Sequence, residues 1–385
     1  MNNGKGTGDK KRLPVLIIAL IVVVVMMLIT VLASFGFVWS KVSKIQKVDD
    51  DDTDPYYIPP GSDYLETDDP EDPFYSDTDD IFPEDSGMTD PGDTGSSSPD
   101  TAEPGSGTTS SGSDTKSPTP SVTTPKMDPV EPLKTGDLIN IAIIGQDRRE
   151  GQGRQRSDSM IIVSINPAKK KVSLISFLRD TYVSIPGGYK DNRLNVAYVY
   201  GGFKLFKSTM KQNFGITIDG CFECDFYDFM EIINILGGVE ITVTEKEAEH
   251  MTNFLGTSTS PGTQTLDGAH ALAYARIRKI DSDFSRTRRQ RTIMLTLFNK
   301  FKNAGVGDLN NIANTILPKL ATDMSDMQII SLMTKMLPLV SSVEIKSYSV
   351  PFDGAYRNAN INGASVLVPD LKKIRNKLAN EYLPY

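Results

Sequence analysis

Arginines in two neighbouring segments carry the strongest chemical signal in this chain. In ALAYARIRK, residues 271–279, an alternation of period two predicts a strand with Tyr274, Arg276 and Arg278 on one face and Ala275 and Ile277 on the other. Shortly afterwards Asp283 is placed to cap a helix whose inward stripe is Arg286, Arg289, Gln290, Ile293, Met294 and Leu297. A helix start that turns cations inward is costly unless an anion meets them, and its backbone N–H groups would serve the same anion. Arg288 and Arg291 fall off the stripe and are predicted to be solvated.

Arg179, in SFLRDTY, follows a buried-looking strand, with Asp180 beside it. Two carboxylates complete the set. Asp147 closes the run LINIAIIGQD and Asp158 precedes MIIVSINP, so both fall at one end of a sheet if those strands are parallel neighbours. Hard oxygen donors of this kind suit Mg²⁺, which completes its shell with water and substrate phosphate. Guanidinium forks beside such a cation suit pyrophosphate. Surface ion pairs would account for any one of these arginines, but poorly for several converging with two aspartates.

The elements that must position them are legible as runs. LINIAIIGQD, MIIVSINP and KVSLISFLRD read as strands buried on both faces, while FYDFMEIINILGG, closed by a Gly pair, and RTIMLTLFNKF have helical period. Strands alternating with helices predict an α/β fold, a central mixed β-sheet covered by helices in an α/β/α sandwich. Residues 365–380, with Pro369 near the first turn, read as a closing helix. The stripe Phe222, Phe226, Phe229, Met230, Ile233 and Leu236 reads as core packing before it reads as the wall of a lipid tunnel.

Composition divides the chain further. Its 385 residues carry a net charge of −8, yet residues 49–103 hold 20 acidic and no basic residues, which leaves 41 basic against 29 acidic elsewhere, or +12. Collagen, coiled coil and a wholly disordered chain are excluded. Residues 13–39 hold no charge and are long enough to cross a bilayer as a helix. Lys5, Lys10, Lys11 and Arg12 precede that run, so residues 1–12 are expected in the cytoplasm and the rest outside, in a single-pass cell-membrane protein. Residues 40–133, acidic and then rich in Ser, Thr, Gly and Pro, are predicted to be a disordered tether, and residues 134–385 the extracellular folded domain. A dozen cytoplasmic residues cannot make a nucleic-acid-binding module.

Cys221 and Cys224 form a C-x-x-C string without the further ligands a zinc site needs, and read as two ordinary thiols, with a redox pair the lesser alternative. His270 reads as packing more than as a catalytic base.

The strings GQDRR, RSDSMIIVSINP, SFLRDTYVSIPG, DNRLNVAYVYGG, ILGGVEITV and LDGAHALAYARIRKIDSDFSRTRRQ resemble those of the LytR-CpsA-Psr (LCP) family of cell-envelope glycopolymer transferases, over roughly residues 138–377. The resemblance implies that Asp147, Asp158, Arg179, Arg276, Arg278, Arg286, Arg289 and Gln290 surround a polyprenyl pyrophosphate and its Mg²⁺. Asp147 and Asp158 would be the metal ligands, either of them doubling as base. Arg179, Arg276 and Arg278 would act in catalysis with Asp158, and Arg286, Arg289 and Gln290 would help grip the pyrophosphate. The implied activity moves a glycopolymer, such as teichoic acid or capsule, from a polyprenyl-pyrophosphate carrier to a peptidoglycan hydroxyl, releasing polyprenyl phosphate. A polyprenyl-pyrophosphate hydrolase, or a carrier-binding protein without turnover, would use the same residues.

Overall fold

The computed structural model describes residues 35–48, 58–60, 133, 136, 138–148, 153–302, 314–336, 343–361 and 363–385. A short helix α1 (Phe35–Val42) and strand β1 (Gln46–Lys47) come first, then β2 (Ile139–Gln146), β3 (Ser157–Asn166) and β4 (Lys171–Phe177). The two-residue β5 (Tyr182–Val183) and β6 (Asn192–Arg193) lead into α2 (Leu194–Phe214), β7 (Gly220–Asp225) and α3 (Phe226–Ile235). Next are β8 (Val239–Val243), α4 (Glu245–Leu255), β9 (Gly262–Leu266), α5 (Gly268–Arg276) and α6 (Asp283–Lys302). The chain closes with β10 (Ala321–Thr322), α7 (Asp326–Met336), β11 (Glu344–Val350), the pair β12 (Tyr356–Ile361) and β13 (Ala364–Pro369), and α8 (Leu371–Lys377).

Seven strands form one mixed sheet in the order β1-β10-β7-β2-β3-β4-β11. β2 runs parallel to β7 and antiparallel to β3, and β4 runs antiparallel to β3 and parallel to β11. The predicted two-sided burial holds because alternate residues feed separate cores. Ile141, Ile143, Ile161, Val163 and Leu174 enter one, with Ile233, Ala271, Ile293 and Leu297 from α3, α5 and α6. Ala142, Ile144, Met160, Ile162 and Ile175 enter the other, with Phe203, Phe206, Met210 and Ile374 from α2 and α8. The result is the expected α/β/α arrangement.

Local sequence sets the helix ends that aim the site. Thr244 and Glu247 close a capping box on α4. Asp225 and Asp267 cap α3 and α5 through their carboxylates. α2 is kinked at Gly201 and Gly202, the latter at φ 55°, a conformation that glycine adopts without steric cost. A Cβ at Gly268 would run into the Met230 backbone, so glycine there lets α5 lie close against α3.

Three expectations change. Residues 271–276 are helix, not strand: Asp267 opens a turn of small residues, and Ala271, Ala273, Tyr274 and Ala275 bury a helical face. Residues 365–369 are strand, with buried Val366, Leu367 and Val368 paired to β12, and the closing helix starts only after the Asp370 cap. Residues 40–48, assigned to the tether, belong to the folded unit, with Val42 and Ile45 in its core. No helix among the described residues is long and apolar enough to cross a membrane, and residues 13–34 and most of the tether lie outside the described residues.

Candidate active site

Asp147 and Asp158 do share one end of the sheet, but for a different reason than expected. β2 and β3 are antiparallel, so the residue that leaves one strand and the residue that starts the next are neighbours across a hairpin. β4 returns antiparallel to β3 and delivers Arg179 to the same end. Arg179 is 4% exposed, and its Nη1 donates to Asp158 Oδ1 at 2.8 Å.

Arg276 is the last residue of α5, and its guanidinium reaches Asp147 Oδ2 at 3.1 Å while covering the ring of Phe226 at 4.5 Å. Arg278 does not share a strand face with it. The helix ends at Ile277 in an extended turn, and Arg278 lies half-buried beyond that turn.

The start of α6 supplies Arg286, 3% exposed, which pairs with Asp283 at 2.8 Å and donates to the Asp158 backbone carbonyl at 3.4 Å. Its buried Nε has no hydrogen-bond partner. Arg289 is spoken for elsewhere: it donates to Glu247 at 2.7 Å, to the Ile277 carbonyl at 3.1 Å and to Asp281. Gln290 is half-buried. Arg291 is not solvated as expected. It lies over the sheet, donating to the hydroxyls of Ser176 and Ser349 at 3.1 Å each, and burial followed by the Arg288 charge lowers its pKa to about 10.

Electrostatics sort the carboxylates. Burial pushes the Asp158 carboxyl up, but Arg179, Arg286 and Arg276 outweigh it and hold the pKa down to about 2. Asp180 goes the other way: burial, together with the Asp283 charge, raises it despite Arg179 and Arg193. Asp180 lies 3.6 Å from both of those guanidinium groups. Asp180 and Arg193 were not picked out as site residues, although SFLRD and DNRLN contain them. Arg193 opens α2 with no apolar stripe to flag it, and only the fold brings it to Asp180.

A second group missed by sequence reading supports the hairpin. Buried Glu223 on β7 accepts from the Gln146 side chain and the Tyr198 hydroxyl. Gln146 in turn accepts from the Gln155 backbone N–H at 2.9 Å, and Arg148 lies 3.5 Å from Glu223 and 3.2 Å from Asp225. The segments flanking Asp147 and leading to Asp158 are thereby pinned to β7. A single Glu in CFEC gives no sequence signal of this.

Cys221 and Cys224 are free thiols. Three residues apart on a strand they face opposite cores, which rules out the redox pair in this fold. His270 Nδ1 lies 2.8 Å from the capping Asp267, a helix-end role.

Asp147 and Asp158 are the carboxylates of this sheet end that could hold a hard cation. Arg179 engages Asp158 through Oδ1, Asp158 stays ionised, and Asp147 stands at the same sheet end. Among the described residues no group of three or more His, Cys, Asp or Glu side chains is placed to hold a metal ion.

Fold and site together define an α/β/α domain with a cluster of arginines and carboxylates at one end of a mixed sheet. The LytR_cpsA_psr family model matches residues 105–381. The chain belongs to that family. The regulatory protein MsrR of Staphylococcus aureus (strain Mu50 / ATCC 700699) is 33% identical over 235 residues, 60% of this chain and 70% of that one. The polyisoprenyl-teichoic acid–peptidoglycan teichoic acid transferase TagT of Bacillus subtilis (strain 168) is 32% identical over 231 residues, 57% of this chain and 71% of that one. The solved structure of TagT bound to LIIa-WTA has a TM-score of 0.53 at 26% identity, over 64% of this chain and 91% of that chain.

Proposed function

We propose that this protein is a phosphotransferase that moves a glycopolymer from a polyprenyl-pyrophosphate carrier to a peptidoglycan hydroxyl. The observation that carries the reading is the meeting of Arg179, Arg276 and Arg286 around Asp158 and Asp147. The similarity to TagT supports it. An acceptor oxygen would attack the sugar-side phosphorus, forming a new P–O bond as the pyrophosphate bridge breaks and polyprenyl phosphate leaves. Arg179, Arg276 and Arg286 would neutralise charge on the phosphoryl oxygens, the positioning and electrostatic work that phosphoryl transfer demands.

Asp147 and Asp158 would hold Mg²⁺, which when bound supplies a further positive charge to the phosphates. Asp180, whose pKa burial raises, is suited to accept the acceptor's proton. Arg278 and Gln290 would meet the outer parts of the donor. Arg289 would serve as the clamp that places α6. The apolar run of residues 13–39 would anchor the protein in the cell membrane with the domain outside.

The test uses the full-length chain in detergent with a polyprenyl-pyrophosphate sugar and Mg²⁺, following polyprenyl phosphate release with and without a peptidoglycan oligomer. Release that depends on the oligomer, with sugar phosphate joined to it, is the expected result. Release that ignores the oligomer would make the protein a hydrolase instead.

A further inference from the structure

The segment that follows the apolar run is held by the domain from Val42 to Val48. β1 adds a parallel strand outside β10, with Gln46 opposite Ala321 and Lys47 opposite Thr322. The ladder is completed by the Gln46 N–H to the Leu320 carbonyl at 2.9 Å and the Val48 N–H to the Thr322 carbonyl at 3.0 Å. Val42 and Ile45, 0% and 2% exposed, join the core cluster that holds Ile316, Leu317, Leu320 and Ile329. Side chains fix the register: Gln46 donates to the Pro318 carbonyl at 2.8 Å, and Lys47 lies 2.8 Å from Asp326 and 3.0 Å from the Met324 carbonyl.

The next described points of the chain also sit on this domain. The Ile58 N–H donates to the Tyr200 carbonyl at 3.1 Å, and its carbonyl accepts from the Tyr189 hydroxyl at 2.6 Å. The Leu133 N–H reaches the Gly215 carbonyl at 2.9 Å. Both ends of the acidic and Ser/Thr-rich stretch therefore return to one folded unit.

We propose that residues 40–48 are a docking arm that fastens the domain to its membrane anchor, so that the acidic stretch after them is not what links the domain to the bilayer. This rests on reading residues 13–39 as the anchor. The first core contact, Val42, comes three residues after that run, so the path from membrane to domain is short. A flexible coil of some 85 residues would let the domain roam about 50 Å from the surface. A docked arm removes that freedom and keeps the arginine cluster near the bilayer, where the pyrophosphate of a lipid carrier has to stay. The acceptor polymer must then come to the membrane.

Cross-linking in the full chain tests this. Cysteines are placed at the strand partners Gln46→Cys and Ala321→Cys, with Cys221→Ala and Cys224→Ala removing the native thiols, and a protease site is inserted between Gly95 and Ser96. After treatment of membranes with a short thiol cross-linker and cleavage, a docked arm leaves the two fragments as one band on a denaturing gel. Val42→Asp with Ile45→Asp should restore two bands. Two bands without those substitutions would overturn the proposal, because the partners would not be adjacent in the working protein.

The cross-linked protein, assayed for transfer before cleavage, should keep the activity of its untreated parent; loss on cross-linking alone would show that the arm must undock. Sedimentation of the uncut chain reads the anchor separately. Uncut protein in the soluble fraction would overturn the membrane part, and an untreated parent without transfer would count against the proposed function and not against the docked arm.

Discussion

Asp158 is the residue on which the site's charge balance turns. Its carboxyl is below its ordinary value of 3.8, so the stability it contributes is present above that value and is lost as pH falls through about 2. Replacing Arg179 with Ala should reduce kcat about 10²–10³-fold, the scale of removing one well-placed donor to a developing charge. It should cost less than the ~3–5 kcal/mol of an orphaned buried charge, since Arg276 and Arg286 still face Asp158. Steady-state kinetics and urea melts of the variant check the two halves separately. Asp180 carries the opposite sign. Its raised pKa means that ionisation works against folding, so Asp180→Asn should raise the Tm near neutral pH while impairing transfer, with the Tm gain fading as the pH falls through the ordinary carboxylate range. An unchanged Tm at neutral pH would dispose of the idea.

Elements explain why some of this was readable in the sequence and some was not. The sheet was legible because two-sided burial leaves long β-branched runs, and the hairpin end was legible because Asp147 and Asp158 flank them. The α5 segment was misread because Ala, Tyr and Ile give little amphipathic contrast: period two and helical period both fit, and the deciding signal was the Asp267 cap before Gly268. The inward stripe of α6 was read correctly as buried, at 3% exposure for Arg286 and 2% for Arg289, but a stripe does not say which anion each cation meets. Arg289 meets Glu247 on α4 and Asp281 before α6, both protein carboxylates. Arg289→Met should therefore lower stability by about 3–5 kcal/mol in chemical denaturation by stranding Glu247. The folded fraction should keep most of its kcat, whereas a direct pyrophosphate contact would cost activity first. Glu223→Ala should loosen both ends of the hairpin, raising the Mg²⁺ concentration needed for half-maximal transfer and speeding amide exchange at Gln155.

At the scale of the whole molecule, the docked arm changes what counts as the domain. A chain starting at residue 134 lacks β1 and uncovers the surface that Val42 and Ile45 bury. Full burial of such side chains is worth about 1.5–3 kcal/mol each, and each kcal/mol moves Tm by about 2–4 °C in a domain of this size. The truncated protein should therefore melt on the order of 10 °C below the full chain, a difference that calorimetry resolves. Length and composition alone pointed to a boundary near residue 134, because an acidic stretch conceals the continuity of what lies on either side of it. The arm's described buried apolar side chains, Val42 and Ile45, are too few to announce a strand.

The chain has a single tryptophan, Trp39, and it sits in α1, 42% exposed. Intrinsic fluorescence excited at the red edge of indole absorption is therefore blind to the sheet and its two cores. It reports from α1 alone. A denaturation followed by Trp39 emission and the same denaturation followed by tyrosine signal or circular dichroism are measurements of two different events, and their midpoints need not coincide.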